Sequence, residues 1–135
     1  AFGHSYVFPI VVAVMTAPAG SLILLENPEA HLHPAAQVKM GRFLSLAAAN
    51  GIQLLVETHS DHLLNGIRLS VCHKTEWGGG VLSPDLTNVY YFEEDEGQAF
   101  RHRYREIAIN EDGKLSDWPK DFMDAWENAL IKLNM

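Results

Sequence analysis

The chain is poor in cysteine, in basic residues and in long apolar segments. Cys72 is the only cysteine among its 135 residues, so neither an intrachain disulfide nor a zinc site with several thiolates is available. A single cysteine is typical of the reducing cytoplasm, which is the location we expect. Ten basic residues against seventeen acidic ones give a net charge of -7, which argues against a free-standing binder of duplex DNA. The apolar run over residues 6–15 is too short to span a bilayer, and we expect no membrane partner.

What the sequence does contain is an alternation of short apolar runs with helical patterns. Two runs of strand length, residues 22–25 and 52–56, end in acidic and histidine residues. Helices are predicted at about residues 5–16, 35–49 and 60–72. The first is apolar nearly all round, which predicts a helix buried under the sheet. Strand–helix–strand order predicts a parallel sheet buried on both faces, and two strands make it thin, so we expect further strands beside them.

The amino-acid composition of the chain changes after the glycine triplet at residues 78–80. Residues 88–93 and 99–109 are rich in Val, Tyr, Phe and Ile and predict a β-hairpin. An amphipathic helix is predicted to follow over about residues 120–133. The predicted class is therefore α/β, with a partial parallel sheet flanked by helices and a C-terminal hairpin and helix.

The predicted hairpin also carries a small basic patch. Arg101, Arg103 and Arg105 alternate along one strand and therefore share one face. In a chain with an acidic total, a solvated face is favoured over contact with nucleic acid. The aromatic residues of this region are predicted to be core side chains, namely Tyr90, Tyr91, Phe92 and Trp118.

Two segments carry the candidate chemistry. Residues 21–34 read SLILLENPEAHLHP, and residues 53–64 read QLLVETHSDHLL. Ligands of open α/β sheets bind at the carboxyl ends of the strands. Carboxylates and imidazoles at two neighbouring strand ends therefore predict a site for a metal or a phosphate. A buried strand that ends in Glu26 holds one carboxylate at its tip, where it can orient magnesium.

These segments resemble the ABC-type ATPases of the SMC, RecF and OLD kind. They are particularly similar to bacterial AAA-type ATPases that carry ENPEAHLHP followed by ETHSDH. The resemblance implies a P-loop NTPase-like fold, with residues 1–75 as one half of an ATPase domain and residues 76–135 as a hairpin–helix extension packed on it. It also implies Mg²⁺ with ATP and a head-to-tail dimer with a second copy. The implied settings are DNA repair, nucleic-acid processing or phage defence, with nucleic acid or a nuclease or effector as a further partner.

The resemblance assigns roles to individual residues. Glu26 corresponds to the Walker B acid that orients Mg²⁺, and His59 to the switch histidine that senses the γ-phosphate. Asn27 stands where many ABC ATPases have the catalytic glutamate, and an amide takes up no proton near neutral pH. The intact protein is therefore expected either to hydrolyse ATP slowly or to use Glu29 or His59 as the base instead. The resemblance also implies nucleotide contacts and cross-dimer contacts. The nucleotide contacts are Asn27, Gly3, His4, Ser5, Thr58 and Ser60, and the cross-dimer D-loop residues are Ala30, His31, Leu32 and His33.

One departure from the family concerns the phosphate cradle. The chain has no Gly-x-x-x-x-Gly-Lys-Ser/Thr segment, which in the family lies far upstream. We therefore expect the C-terminal half of an ATPase domain, inactive as a fragment.

Other interpretations of the same residues stay open. A non-catalytic interaction domain on an ATPase scaffold is favoured by Asn27, and a metal-dependent nuclease would use the His/Glu cluster. The pairs His31/His33 and His59/His62 could also ligate zinc together with a glutamate, although their spacing is not the helical HExxH pattern. For His31 and His33, exposed loop positions with helix-capping contacts stand as an equal alternative to a dimer contact.

Overall fold

The computed structural model of the chain describes residues 2–74, 76, 79–94, 102–119, 122, 123 and 133. In chain order the elements are α1 (Phe2–Thr16), β1 (Leu22–Glu26), α2 (Pro34–Ala49), β2 (Gln53–Glu57), α3 (Asp61–Val71), a 3₁₀ turn (Pro84–Leu86), β3 (Asn88–Glu94) and β4 (His102–Ala108). β1 and β2 form a parallel pair, and β3 and β4 form an antiparallel pair. The predicted order of helices and strands is confirmed. The predicted helix over residues 120–133 lies almost entirely outside the described residues.

Capping residues set the starts of α2 and α3. Pro34 occupies the first turn of α2, where its missing N–H costs nothing. His33 precedes it and caps the helix, because its Nδ1 accepts the N–H of Ala35 at 3.3 Å. α3 begins after Ser60, whose Oγ accepts the N–H of Leu63 at 3.0 Å. Both loops that follow the parallel strands therefore end on a polar cap, as the sequence predicts for Ser60.

One face of the β1–β2 sheet is covered and the other faces solvent. The covered face packs on an apolar cluster to which α1, α2 and α3 all contribute. The other face carries Leu22, Leu24 and Leu55, which are 57%, 67% and 60% exposed. The prediction of a sheet buried on both faces is therefore wrong for the described residues. The reason is that these helices pack on the same side of the sheet.

α1 is also less buried than its composition predicts. Val14 lies in the core, and Val7 and Ile10 pack against it, whereas Phe8 and Met15 are 69% and 74% exposed. The prediction of an all-round buried helix is wrong because the sheet and α2 cover only one side of it. Within the described ranges, no helix is long and apolar enough to cross a membrane.

α2 and α3 cross with their backbones in contact at Gly41 and Gly66. A Cβ on Gly41 would collide with the carbonyl oxygen of Leu63, and a Cβ on Gly66 would collide with that of Val38. Both glycines have ordinary helical dihedrals, so the close approach, rather than the backbone conformation, requires them. This crossing holds the start of α3 firmly beside α2.

A second apolar cluster joins α3 to the hairpin. Its buried members are Leu64, Val71, Leu82, Ile107, Ile109 and Phe122. Arg68 of α3 reinforces this connection, because its Nε donates to the carbonyl oxygen of Gly113 at 2.7 Å. The guanidinium carbon of Arg68 also lies 5.9 Å from the ring centroid of Trp118. Trp118 is 45% exposed, so the prediction that places it in the core is wrong, and its ring covers Arg68 instead.

The outer face of the hairpin is aromatic. Strand alternation turns Tyr91 towards the second cluster and leaves Tyr90 and Phe92 47% and 68% exposed. Both exposed rings meet Tyr104, with centroid distances of 6.1 Å for Tyr90 and 6.3 Å for Phe92. The core prediction is confirmed for Tyr91 and wrong for Tyr90 and Phe92. Within the described residues, only the face of the hairpin that carries Tyr91 packs against other parts of the chain.

Arg105 of β4 lies beside two acidic partners. Arg103 and Arg105 share a face, as predicted, and both are exposed, whereas Arg101 lies outside the described residues. Arg105 Nε donates to Glu93 Oε1 at 3.1 Å, and its Nη1 lies 3.5 Å from Asp117 Oδ2. The hydrogen bond from Arg105 to Glu93, together with these negative charges, raises the pKa of the guanidinium further above its ordinary value. Arg105 is thus engaged within the hairpin region.

Candidate functional site

The carboxyl ends of β1 and β2 lie side by side at one edge of the sheet. The parallel register pairs Glu26 with Glu57, and both side chains are exposed. Paired residues on neighbouring strands lie about 5 Å apart, and like charges at such positions repel each other. A cation or a hydrogen-bond donor between the two carboxylates would therefore be stabilised. The sequence places Glu57 at the end of the second strand but assigns it no role of its own, and the parallel register brings it beside Glu26.

His59 stands at the same edge and is open to solvent. Its side chain is 84% exposed, and its Nε2 lies 3.2 Å from Oε1 of Glu57, which is 55% exposed. The carboxylate of Glu57 therefore contacts the imidazole beside the strand ends while most of the ring stays accessible to solvent.

The loop that follows β1 takes an unusual backbone course. Asn27 and His31 have φ angles of +45° and +64°, in the left-handed region that asparagine and histidine enter more readily than most residues. The N–H of Asn27 donates to the carbonyl oxygen of Glu57 at 2.9 Å, which ties the loop to the end of β2. Such conformations persist only where surrounding contacts impose them, and they concentrate at functional sites.

The two histidines of this loop have different surroundings. His33 caps α2 and is exposed. His31 is also exposed, and its ring meets Tyr6 of α1 edge-on with a centroid distance of 5.3 Å. The helix-capping interpretation is thus observed for His33, and a dimer contact through either histidine stays a prediction. Between them Leu32 is partly buried against the first apolar cluster, and Ala30 is half-buried.

The implied nucleotide contacts Gly3, His4 and Ser5 lie in the first turns of α1. Gly3 and His4 are described as helical backbone, and Ser5 is exposed. The contact between Tyr6 and His31 brings this end of α1 to the loop after β1. The structure therefore gathers the start of α1 and the loop after β1 on the side of the sheet where the strands end.

The side chain of Glu29 is buried and contacts Thr58, which is partly buried. Glu29 is 7% exposed, and its Oε1 accepts a hydrogen bond from the hydroxyl of Thr58 at 2.6 Å. The same hydroxyl oxygen accepts the N–H of Ser60 at 3.0 Å. Glu29 therefore does not share the open edge with Glu26 and Glu57. Sequence reasoning selected Glu29, Thr58 and Ser60 separately and did not predict that they touch.

The acidic groups at the edge fit magnesium better than zinc. In the described part of the chain, no three His, Cys, Asp or Glu side chains are grouped closely enough to hold a metal ion on their own. His62, the second member of one predicted zinc pair, lies 3.8 Å from Asp61 instead. Mg²⁺ commonly uses only one or two carboxylates and completes its shell with water and phosphate oxygens. Glu26, with Glu57 beside it, suits that mode of binding.

Two family models match separate parts of the chain. Residues 1–65 match the family described as "AAA domain, putative AbiEii toxin, Type IV TA system". The first half of the chain is AAA-like. Residues 82–133 match a family described as "Protein of unknown function (DUF3696)". Neither a search of curated proteins nor a search of solved structures finds a match.

The AAA-like match spans α1, β1, α2, β2 and the start of α3. It therefore includes Glu26, Glu57 and His59 together with the buried Glu29–Thr58 contact. The match, together with a small parallel sheet flanked by helices and an antiparallel hairpin, confirms the predicted P-loop NTPase-like α/β class. The chain is thus similar to an AAA domain over residues 1–65, the part that carries the candidate site.

Proposed function

We propose that this chain is the part of an ABC-type ATPase that orients the metal and senses the terminal phosphate of ATP. The observation that carries the proposal is the register of β1 and β2, which pairs Glu26 with Glu57 and brings His59 to the same edge. The AAA-like match over residues 1–65 supports it, because that match contains all three residues.

In the proposed site each side chain has a separate task. Glu26 would hold Mg²⁺, directly or through water, and the bound metal would neutralise phosphate charge. Glu57 would keep the imidazole of His59 at the strand ends through their 3.2 Å contact. A doubly protonated His59 would donate its Nε2–H to Glu57 and its Nδ1–H to the terminal phosphate, for which its 84% exposed ring has room. The phosphate cradle and its lysine would come from sequence outside the 135 residues.

The test uses the full-length protein that contains this chain. We expect Glu26→Gln and His59→Ala each to lower the rate of ATP turnover by about 10²–10³-fold, the usual effect of removing one group that stabilises developing charge. Two matched controls lie away from the site. Glu106→Gln changes an exposed carboxylate of the hairpin, and His73→Ala changes an exposed histidine after α3.

The controls should turn over ATP within about twofold of the wild type, since neither touches the strand ends. Unchanged turnover in both Glu26→Gln and His59→Ala would refute the assignment. Isothermal titration of the wild type with Mg-ATP and with a non-hydrolysable analogue separates binding from turnover. Binding without turnover would favour a nucleotide-gated switch in which Asn27 has replaced the base.

The partners belong to the same proposal. A second copy would meet the first head-to-tail, with Ser5 of α1 and the loop residues His31 and His33 facing the partner's nucleotide. The side chains of these three residues are exposed. Analytical ultracentrifugation should then show a dimer that forms only with the non-hydrolysable analogue. A role in DNA repair, nucleic-acid processing or phage defence predicts that DNA or RNA stimulates turnover.

A second candidate is a non-catalytic interaction domain on the same scaffold. The outward leucines Leu22, Leu24 and Leu55 favour it, because an apolar sheet face of this kind suits a docked partner. Under this alternative, Leu24→Lys would abolish partner binding, whereas His59→Ala would leave it intact. A metal-dependent nuclease is less well supported, because the described residues contain no complete metal-binding cluster. Intact plasmid after incubation with Mn²⁺ would argue against it further.

A further inference from the structure

Glu29 is the one charged residue among the buried polar side chains of the described ranges. One oxygen, Oε1, accepts the 2.6 Å hydrogen bond from Thr58. The other, Oε2, is buried and finds no hydrogen-bond donor in the described part of the chain. A buried carboxylate with a single partner is costly, and an apolar side chain of similar size would commonly be no less stable there. A contribution to stability therefore does not explain the residue.

The contact of Glu29 with Thr58 joins the two loops that carry the candidate site. Glu29 lies two residues after Asn27, and Thr58 immediately precedes His59. The backbone bond from Asn27 N–H to Glu57 O, at 2.9 Å, joins the same loops at their bases. The side-chain contact is thus a second connection, placed further from the sheet.

Gln37 of α2 makes a third connection between the loops. Its Nε2 donates to the carbonyl oxygen of Leu32 in the first loop at 2.9 Å. Its Oε1 accepts a hydrogen bond from the hydroxyl of Ser60 in the second loop at 2.6 Å. Because Ser60 also caps α3, a shift of the first loop is transmitted both to the residues beside His59 and to the start of α3.

We propose that Glu29 and Thr58 form a clasp that makes the loop after β1 and the loop after β2 move as one unit. Glu29 is then a positioning residue that acts on His59 through Thr58. The clasp couples the D-loop-like segment, which would sense a second subunit, to the histidine that would sense the terminal phosphate. The role of each loop rests on the proposed ATPase function, whereas the coupling between the loops does not.

This role competes with the sequence expectation that Glu29 serves as the base. A base must reach the attacking water, directly or through one further water. In the structure Glu29 is 7% exposed and already accepts the hydroxyl of Thr58. The two roles make opposite predictions for Thr58, because loss of its hydroxyl breaks the clasp but leaves the Glu29 carboxylate in place.

The first test measures hydrogen exchange in the full-length protein, on peptides that cover residues 27–33 and 58–64. Thr58→Val is isosteric and removes the hydroxyl, whereas Thr58→Ser keeps it. We expect Thr58→Val to speed exchange about tenfold in the opposite loop, residues 27–33, because the clasp that holds that loop is lost. Thr58→Ser should stay within about twofold of the wild type. Faster exchange confined to residues 58–64 would overturn the proposal.

The second test measures ATP turnover. Thr58→Val should lower kcat by about 10²-fold with little change in KM, since a misplaced group of this kind costs about that much. Thr58→Ser should restore it, and Glu29→Gln combined with Thr58→Val should be no worse than either single change. Normal turnover in Thr58→Val together with loss in Glu29→Gln would overturn the clasp and establish the base role. If the wild type neither binds nor turns over ATP, the proposed function fails, and the exchange measurement still decides the coupling.

Discussion

The close contact between α2 and α3 predicts that a substitution which normally stabilises a helix is destabilising here. Alanine is about 1 kcal/mol better than glycine in an exposed helix, so propensity alone makes Gly66→Ala stabilising. In the structure a Cβ on Gly66 would collide with the carbonyl oxygen of Val38 and would lie 3.1 Å from the Cα of Gly41. The obstacle is backbone, which cannot rotate away, so the two helices must separate.

Overpacking of this kind costs up to about 3 kcal/mol. The alanine gains about 1 kcal/mol in helix propensity, which offsets part of this cost. We therefore expect Gly66→Ala to lower the free energy of unfolding by about 2 kcal/mol. For a domain of this size that corresponds to a melting temperature lower by about 6 °C. Gly41→Ala should behave in the same way, because its Cβ would collide with the carbonyl oxygen of Leu63.

Calorimetry and urea unfolding measure these changes. The double variant Gly41→Ala/Gly66→Ala should cost clearly less than the sum of its parts, since one separation of the helices accommodates both methyl groups. Lys39 is exposed on α2, so Lys39→Gly compared with Lys39→Ala calibrates helix propensity on the same helix. A melting temperature of Gly66→Ala equal to or above that of the wild type would refute the close-contact argument.

Three further predictions concern the region where α3 meets the hairpin. Arg68→Ala should lower the free energy of unfolding by about 2 kcal/mol, because it loses the bond to Gly113 and the contact with Trp118. Arg68→Lys should recover less than half of that loss in urea unfolding, because an ammonium cannot reproduce the planar fork; full recovery would contradict the geometry. Cys72 is 5% exposed, so a thiol reagent should modify the native protein about 10²-fold more slowly than the protein in urea, and equal rates would show that the site is open. An arginine side chain stays protonated well above pH 10, and the bond to Glu93 raises the pKa of Arg105 further, so its contacts should persist as pH rises. The difference in melting temperature between wild type and Arg105→Gln should therefore stay constant from pH 7 to pH 10, and a difference that vanishes by pH 10 would refute this.

Much of the first half of the fold can be predicted from the sequence, because its signals are local. Apolar runs bounded by polar residues define β1 and β2, and Pro34 and Ser60 define where α2 and α3 begin. Glu26 and His59 could be selected because each lies at or just beyond the end of a strand. These predictions do not require knowing which helices and strands contact each other in the fold.

The remaining features depend on contacts between residues distant in the chain. Nothing in the local pattern indicates that Glu29 meets Thr58, because the two lie 29 positions apart. The exposure of Leu24 could not be predicted, since an apolar side chain shows the same pattern whether or not a second layer covers it. Glu57 gained its place beside Glu26 only through the register of the parallel pair.

The left-handed backbone at Asn27 bears on how this position can change over time. A glutamate there would have to adopt a φ of +45°, a conformation that costs a side chain of this type about 1 kcal/mol, whereas asparagine tolerates it better. In the proposed ATPase, a proton acceptor at this position would therefore conflict with the backbone conformation that the loop adopts. Asparagine avoids that conflict, and a variant with glutamate here would need a compensating change elsewhere in the loop.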